Sequence, residues 1–200
     1  DSRYGLGKTD DQVDIASFIA EADYCDEIVT NLDGTTEKRF QLDIVIDTQR
    51  PSLDVIQDIL ATFRGNLIYT DGRFKLHVEK STAPAQTFDM DTIIDGSFTY
   101  SLMSWKEIPN RVVVDFIDPT QNWERISLPY DNDGEQERQG DVYEKNVALF
   151  GVTRKGQAGR MARYYHDLVR YCSTLTEFDA GIEATHCEVG DVIEITHDVS

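Results

Sequence analysis

The sequence predicts an α+β chain: a small helix-plus-antiparallel-sheet domain over residues 1–82, then a β-barrel or sandwich-like domain over residues 83–200 with one long helix inserted. Three observations carry this expectation. Before residue 80, stretches with apolar residues at helical spacing alternate with period-two stretches. Asp71-Gly72, the dipeptide best suited to the left-handed backbone of a two-residue hairpin, stands between two alternating segments. A charged amphipathic stretch at about 154–172 lies among segments that read as strands.

In chain order, residues 3–7 read as a connector, and Asp10 or Asp11 is placed to cap a first helix with the face Ile15, Phe18, Ile19 and Ala22. Tyr24 and Cys25 end it. A turn at 31–34 leads to residues 38–47, where Phe40, Leu42, Ile44 and Ile46 alternate with Arg39, Gln41 and Asp43 as in a half-buried strand. Pro51 opens a second helix, with Leu53, Ile56, Ile59, Leu60 and Phe63 at helical spacing before Gly65 stops it. Segments 67–70 and 73–79 are the arms of the hairpin, and 81–85 has linker composition.

In the second domain, 96–103, 111–116, 123–128 and 142–149 read as strands. Of these, 111–116 is the β-branched run suited to the middle of a sheet. The long helix buries Ala158, Met161, Ala162, Tyr165, Leu168, Val169 and Cys172 on one face. Its other side carries Arg160, Arg163, Tyr164, Asp167 and Arg170, with Arg154 and Lys155 near the start. After Ser173 the period changes, and 174–178 and 191–196 read as strands separated by Gly181 and Gly190.

Composition bounds the function. Thirty-seven Asp and Glu against 19 Lys and Arg give a net charge of −18, which disfavours nucleic-acid capture as the main task. An acid-lined passage would instead let DNA through without holding it, and the charge also keeps the chain soluble. No run approaches the roughly 18 apolar residues of a membrane span, and the opening residues lack signal-peptide character. The first residue is not Met, so the chain reads as an internal piece of a longer protein. Cys25, Cys172 and Cys187 are too far apart to read as a disulfide framework, which fits synthesis in a reducing compartment.

The motifs give no chemistry. Asp131 to Glu135 has the spaced carboxylates and turn glycine of a cation loop but lacks an EF-hand's distal Glu, so it reads as a solvated turn. His77, His166, His186 and His197 share no metal spacing, and neighbours such as His186 and Cys187 point to opposite sides of a strand. There is no nucleophile elbow, and Gly151 to Gly159 has no Walker spacing. No catalytic, cofactor-binding or metal-binding residue is expected. Arg160, Arg163 and Arg170 are expected to meet acidic groups of the chain's own surface or of a neighbouring copy.

The run Asn-Arg-Val-Val-Val-Asp-Phe-Ile-Asp-Pro at 110–119 is followed by Gly-Val-Thr-Arg-Lys-Gly-Gln-Ala-Gly-Arg-Met-Ala-Arg at 151–163 and by Cys-Glu-Val-Gly-Asp-Val-Ile-Glu-Ile at 187–195. In this order they resemble the central tail-tip proteins of long-tailed bacteriophages, the lambda-type host-specificity or tip attachment family. Residues 3–7 and 65–79 extend the likeness over nearly the whole chain. The resemblance implies a non-enzymatic virion protein of a phage or prophage, made in the bacterial cytoplasm and standing at the tail tip as a trimeric hub that closes the tube. Its implied partners are distal tail, tape-measure and tip proteins, with DNA only as transit cargo. The host receptor would be met by parts of the parent outside this piece. The alternatives are a tail-associated cell-wall hydrolase domain, marked by a carboxylate cleft, or a carbohydrate- or protein-binding β module, marked by an aromatic patch with Trp105 or Trp123.

Overall fold

The structure, a computed structural model, describes residues 7–31, 33–47, 49–104 and 108–198. The connector at 3–7, apart from Gly7, and Trp105 lie outside the described residues, as does Leu32 of the expected 31–34 turn. Helix α1 is Ile15–Asp26, α2 is Ser52–Ala61, and a hairpin of β3 (Gly65–Thr70) and β4 (Arg73–Val78) lies beside them. The hairpin is paired from Gly65↔Val78 to Thr70↔Arg73, with positive φ at both Asp71 (52°) and Gly72 (77°). This is the mirror-image turn that the dipeptide favours.

Four expectations for this half are corrected. Asp10 and Asp11 lie in a short 3-10 turn, and Asp14 caps α1 by accepting from the Ser17 amide. The buried side of α1 is also rotated: Ile15 and Ile19 are exposed, while Glu21 is buried. Polar anchors set that rotation. The Ser17 hydroxyl accepts from the Leu76 amide at 3.0 Å, and Glu21 meets the Lys80 ammonium at 2.7 Å. The chain reversal after α2 is made by Arg64, at φ 61°, and Gly65 opens β3.

The expected strand at 38–47 is the fourth correction. β1 (Ile28–Thr30) pairs with β2 (Thr36–Lys38), and beyond Lys38 the chain leaves the ladder. The amides of Phe40, Gln41 and Asp43 go instead to the Cys25 carbonyl, the Gln157 side chain and the Gly151 carbonyl. Phe40 is buried, so the alternation marks a packed face whose partners are loops and a helix.

The largest sheet has β7 (Arg111–Asp118) at its centre, antiparallel to β8 (Glu124–Asp131) and parallel to β9 (Glu144–Ala148). Val112, Val114 and Phe116 face inward against α4 (Lys155–Tyr171). The core they form with Leu149, Val152, Ala158, Met161 and Ala162 also takes in Phe40 and Val78, so one hydrophobic cluster draws on residues before and after position 82. Where the sequence reads as a solvated turn at 131–135, the chain forms α3 (Asp133–Gln139). Asn132 caps it through the Glu135 amide, acids fill its first turn, and Gly140 ends it in the left-handed region.

The remaining strands pair in twos. β5 (Gln86–Phe88) runs parallel to β11 (Ile193–Ile195), and β6 (Thr99–Leu102) antiparallel to β10 (Thr174–Glu177). A small cluster sits near them, with the Phe98 and His197 rings stacked at 3.9 Å and Phe88 against Phe178 at 5.3 Å. The described residues therefore make a mixed α+β fold of several small sheets, and no barrel closes.

Candidate assembly surface

The basic face of α4 divides into two kinds of arginine. Arg160 is a brace: its guanidinium donates to Asn31 Oδ1 at 2.5 Å, Glu37 Oε1 at 2.8 Å and the Arg39 carbonyl at 2.7 Å, tying α4 to the β1–β2 loop. Arg163 and Arg170 point outward, each with a loose partner at 3.4 Å, Asp167 and Glu135 respectively. The chain does not gather the three into one cluster. Arg163 is 68% exposed and Arg170 40% exposed, which leaves both able to exchange partners.

The other side of α4 holds two groups that the apolar pattern missed. Gln157 accepts from the Gln41 amide and donates to the Thr62 carbonyl, and His166 sits between Asp167 and the Asn132 side chain. Both are buried. Gln157 precedes Met161 by four residues and His166 follows Ala162 by four, so helical spacing alone places them on the buried face. Beside them, Arg64 lies 4.6 Å over the Tyr164 ring and 5.0 Å over Phe40. The Tyr164 hydroxyl donates to Glu79. Burial, and then that carboxylate, push its ionisation above the ordinary tyrosine range. These contacts fix α4 to the first half of the chain.

A groove of about 460 Å³ lies between β7 and the loops at 43–45 and 148–151, and it contains Asp43, Asp58 and Asp115. Each carboxylate is already engaged. Asp43 accepts from Thr153 Oγ1 at 2.6 Å and Arg154 Nη1 at 2.7 Å, Asp58 pairs with Arg50 at 2.8 Å, and Asp115 accepts from Ser127 at 2.6 Å. The Thr153 hydroxyl, and then Arg154, hold the Asp43 carboxyl below its ordinary range. A general acid needs the opposite shift, so Asp43 is not suited to that role. Trp123 is exposed at the turn between β7 and β8, but one tryptophan on a turn is not a binding patch. The described residues contain no cluster of His, Cys, Asp or Glu able to hold a metal, including the 131–135 segment.

The lowered Asp43 carboxyl has a consequence for stability. Its unfolded value is near 3.8 and its folded value lies lower, so its contribution is complete above pH 3.8 and is lost as pH falls through the folded value. Asp43→Asn is therefore expected to lower the melting temperature at pH 6, and the gap to the parent is expected to narrow as pH falls below 3.8. Melts of parent and variant from pH 6 down through pH 3.8 measure this; a gap that stays constant would show that the contact carries no proton linkage.

The surface that stays open is apolar. In the β6–β10 ribbon, Leu102 is 70% exposed, Leu175 69% and Tyr100 52%. Facing partners are Leu102↔Thr174, Ser101↔Leu175 and Tyr100↔Thr176, which puts Tyr100 and Leu102 on one face and Leu175 on the other. Both faces are open, a state in which a two-stranded ribbon is marginal by itself. The chain as a whole exposes 13343 Å². A compact monomer of 22.7 kDa exposes about 9,500 Å², so roughly 3,800 Å² is left over. No helix among the described residues is long and apolar enough to cross a membrane.

The geometry on the page is thus a mixed α+β chain with open ribbons and an outward basic helix. Residues 52–200 match the family described as "Putative phage tail protein", and the chain belongs to that family of phage tail proteins. It is similar to the Tip attachment protein J of Escherichia phage SECphi27, with 29% identity over 195 residues, covering 96% of this chain and 16% of that protein. It is also similar to the Baseplate hub protein pb3 of Escherichia phage T5, with 26% identity over 214 residues, covering 98% of this chain and 22% of that protein. The chain thus spans under a quarter of the length of these curated relatives. Among solved structures, a chain from the virion of the native gene transfer agent (GTA) particle shares the fold, with a TM-score of 0.56 and 14% identity over 72% of this chain and 33% of that one.

Proposed function

We propose that this chain is a structural piece of the central hub at the tip of a phage or prophage tail, where copies of it stand around the tail axis, close the tube and join it to the host-recognition apparatus. The observation that carries this reading is the family match over residues 52–200; the uncovered surface, 13343 Å² where a compact monomer shows about 9,500 Å², leaves room for neighbours, the rest of the parent protein among them. A standard interface takes about 800 Å² from each partner, so the surplus accommodates several contacts. The named relatives, a tip attachment protein and a baseplate hub protein, support the same role.

In this reading the neighbours are sister copies, expected as a trimer, and the distal tail, tape-measure and smaller tip proteins. The parent meets a host receptor through parts outside this chain, and DNA passes as cargo along a channel that net charge −18 keeps from gripping phosphates. Arg163 and Arg170 meet carboxylates of the adjoining copy, while Arg160 holds the β1–β2 loop in shape. No catalysis is assigned. Sedimentation velocity tests the self-assembly. The chain is expected to associate with rising concentration, and Arg163→Gln with Arg170→Gln is expected to weaken association at low salt with the melting temperature lowered by no more than about 2–4 °C. A chain that stays monomeric at every concentration, or associates without regard to salt or to these charges, counts against it.

A further inference from the structure

The partners of the two outward arginines of α4 meet underneath at one buried residue. Arg163 pairs with Asp167, whose other oxygen lies 3.0 Å from His166 Nδ1. Arg170 pairs with Glu135, whose amide donates to Asn132 Oδ1 at 3.2 Å; the Nδ2 of that same Asn132 lies 3.3 Å from His166 Nε2. These contacts fix the roles of the ring nitrogens. The Glu135 amide claims the Asn132 oxygen, so Asn132 turns its NH2 to Nε2, which has to accept. Nδ1 then carries the ring proton and donates to Asp167, a set that is complete with the imidazole neutral. The side chain is 2% exposed, which leaves no solvent to relieve a mismatch. Around it, β7 faces α4 with Val112, Val114 and Phe116, β8 with the Tyr130 ring at 5.2 Å, and β9 with Lys145, held over the Tyr165 ring at 5.8 Å. Asp131 is turned to Arg111 and Gln136, and Glu135 also holds Arg138.

We propose that His166 is a proton-operated latch beneath the basic face of α4: the neutral ring keeps α3 capped and Arg170 tied to it, and a proton at Nε2 releases both. The inference rests on the assembly reading of Arg163 and Arg170 and supplies its regulation. A second ring proton sets N–H against N–H across the 3.3 Å contact with Asn132. Asn132 has one oxygen to offer and two donors that claim it. Turning that oxygen to the imidazolium, the stronger donor, leaves the Glu135 amide without its cap. Helix α3 has only seven residues, so its first turn loosens when the cap goes, and Glu135 is no longer fixed against Arg170. On the other side, the charged ring pairs with Asp167 at 3.0 Å and competes with Arg163, whose hold on that carboxylate is the longer at 3.4 Å. Both arginines are then left more open to carboxylates of an adjoining copy.

Solution NMR of the full chain between about pH 8 and about pH 5, where imidazoles take up their proton, reads the latch directly. The Glu135 backbone amide and the Asn132 side-chain amide are expected to shift with the same midpoint as the His166 ring. Protection of the Glu135 amide from hydrogen exchange should fall about five- to tenfold once the ring is charged. His166→Gln keeps a neutral group in place and should abolish this pH dependence. Asn132→Asp supplies an oxygen for each donor, so the Glu135 amide should stay capped while the ring is charged. In sedimentation velocity at low salt, association of the parent should tighten about two- to threefold over the same range, a gain that His166→Gln removes. A Glu135 amide that stays unmoved while the His166 ring titrates overturns the latch and leaves the hub reading standing. So does a ring that takes up no proton while the chain is folded. A chain that stays monomeric while the Glu135 amide follows the ring overturns the hub reading and upholds the proton-driven uncapping.

Discussion

Gly151→Ala is expected to destabilise the chain by roughly 3 kcal/mol, a drop of about 6–12 °C in melting temperature. Gly151 sits at φ 68°, where an L side chain costs about 1–2 kcal/mol. A Cβ there would stand 1.9 Å from Ile44 Cγ2 and 2.6 Å from Leu42 Cδ1, a clash with branched, packed side chains that have little freedom to withdraw. Relief requires the 42–44 segment to move off, which also breaks the 2.9 Å bond from the Asp43 amide to the Gly151 carbonyl. Gly159→Ala supplies the contrast. It lies inside α4, and its Cβ would find only Leu128 at 3.8 Å, so the better helix propensity of alanine should leave stability unchanged or raise it by about 0.5–1 kcal/mol. Thermal melts of the two variants decide the matter, and a Gly151→Ala chain melting within 2 °C of the parent (under about 1 kcal/mol) would refute the close approach.

The same segment shows which parts of this fold are legible in sequence. The hairpin at Asp71-Gly72, the central strand β7 and the helix α4 are set by chemistry within a few residues, and all three form where the pattern puts them. The cap of α3 was also local, since Asn132 stands three residues before Glu135, but spaced carboxylates and a glycine made the same letters read as a cation loop or turn. The misreadings elsewhere have distant causes. The buried side of α1 is chosen by Leu76 and Lys80, each 59 residues from its partner, against the apolar rhythm of Ile15 and Ile19. The strand expected at 38–47 finds Gln157, 116 residues on, in place of a ladder. At the candidate surface, helical spacing places Arg160, Arg163 and Arg170 on one helix. It cannot foretell that Asn31, 129 residues away, would turn Arg160 into an internal brace. Pairing of short strands is likewise non-local, which is why β5, β6, β10 and β11 end as pairs and not as a barrel.

Gln157→Ala is expected to cost about 4 kcal/mol, because it opens a cavity in the core and orphans two backbone groups. The residue is 0% exposed. Its Oε1 accepts from the Gln41 amide at 3.0 Å and its Nε2 donates to the Thr62 carbonyl at 3.3 Å, so one side chain joins α4 to the end of α2 and to the start of the 40–47 segment. Gln157→Leu separates the two contributions. It restores most of the volume but neither hydrogen bond, and each buried group left unpaired costs about 1–3 kcal/mol, partly offset by the leucine's own burial. A net loss of about 2 kcal/mol is expected, with the Gln41 amide losing its protection from hydrogen exchange in both variants. If leucine restored the parent's stability and left that amide protected, Gln157 would be filling space and the 40–47 segment would be held by packing on Gly151. If leucine recovers only the cavity term, a polar contact inside the core positions residues 40–43 and ties α4 to the first half of the chain.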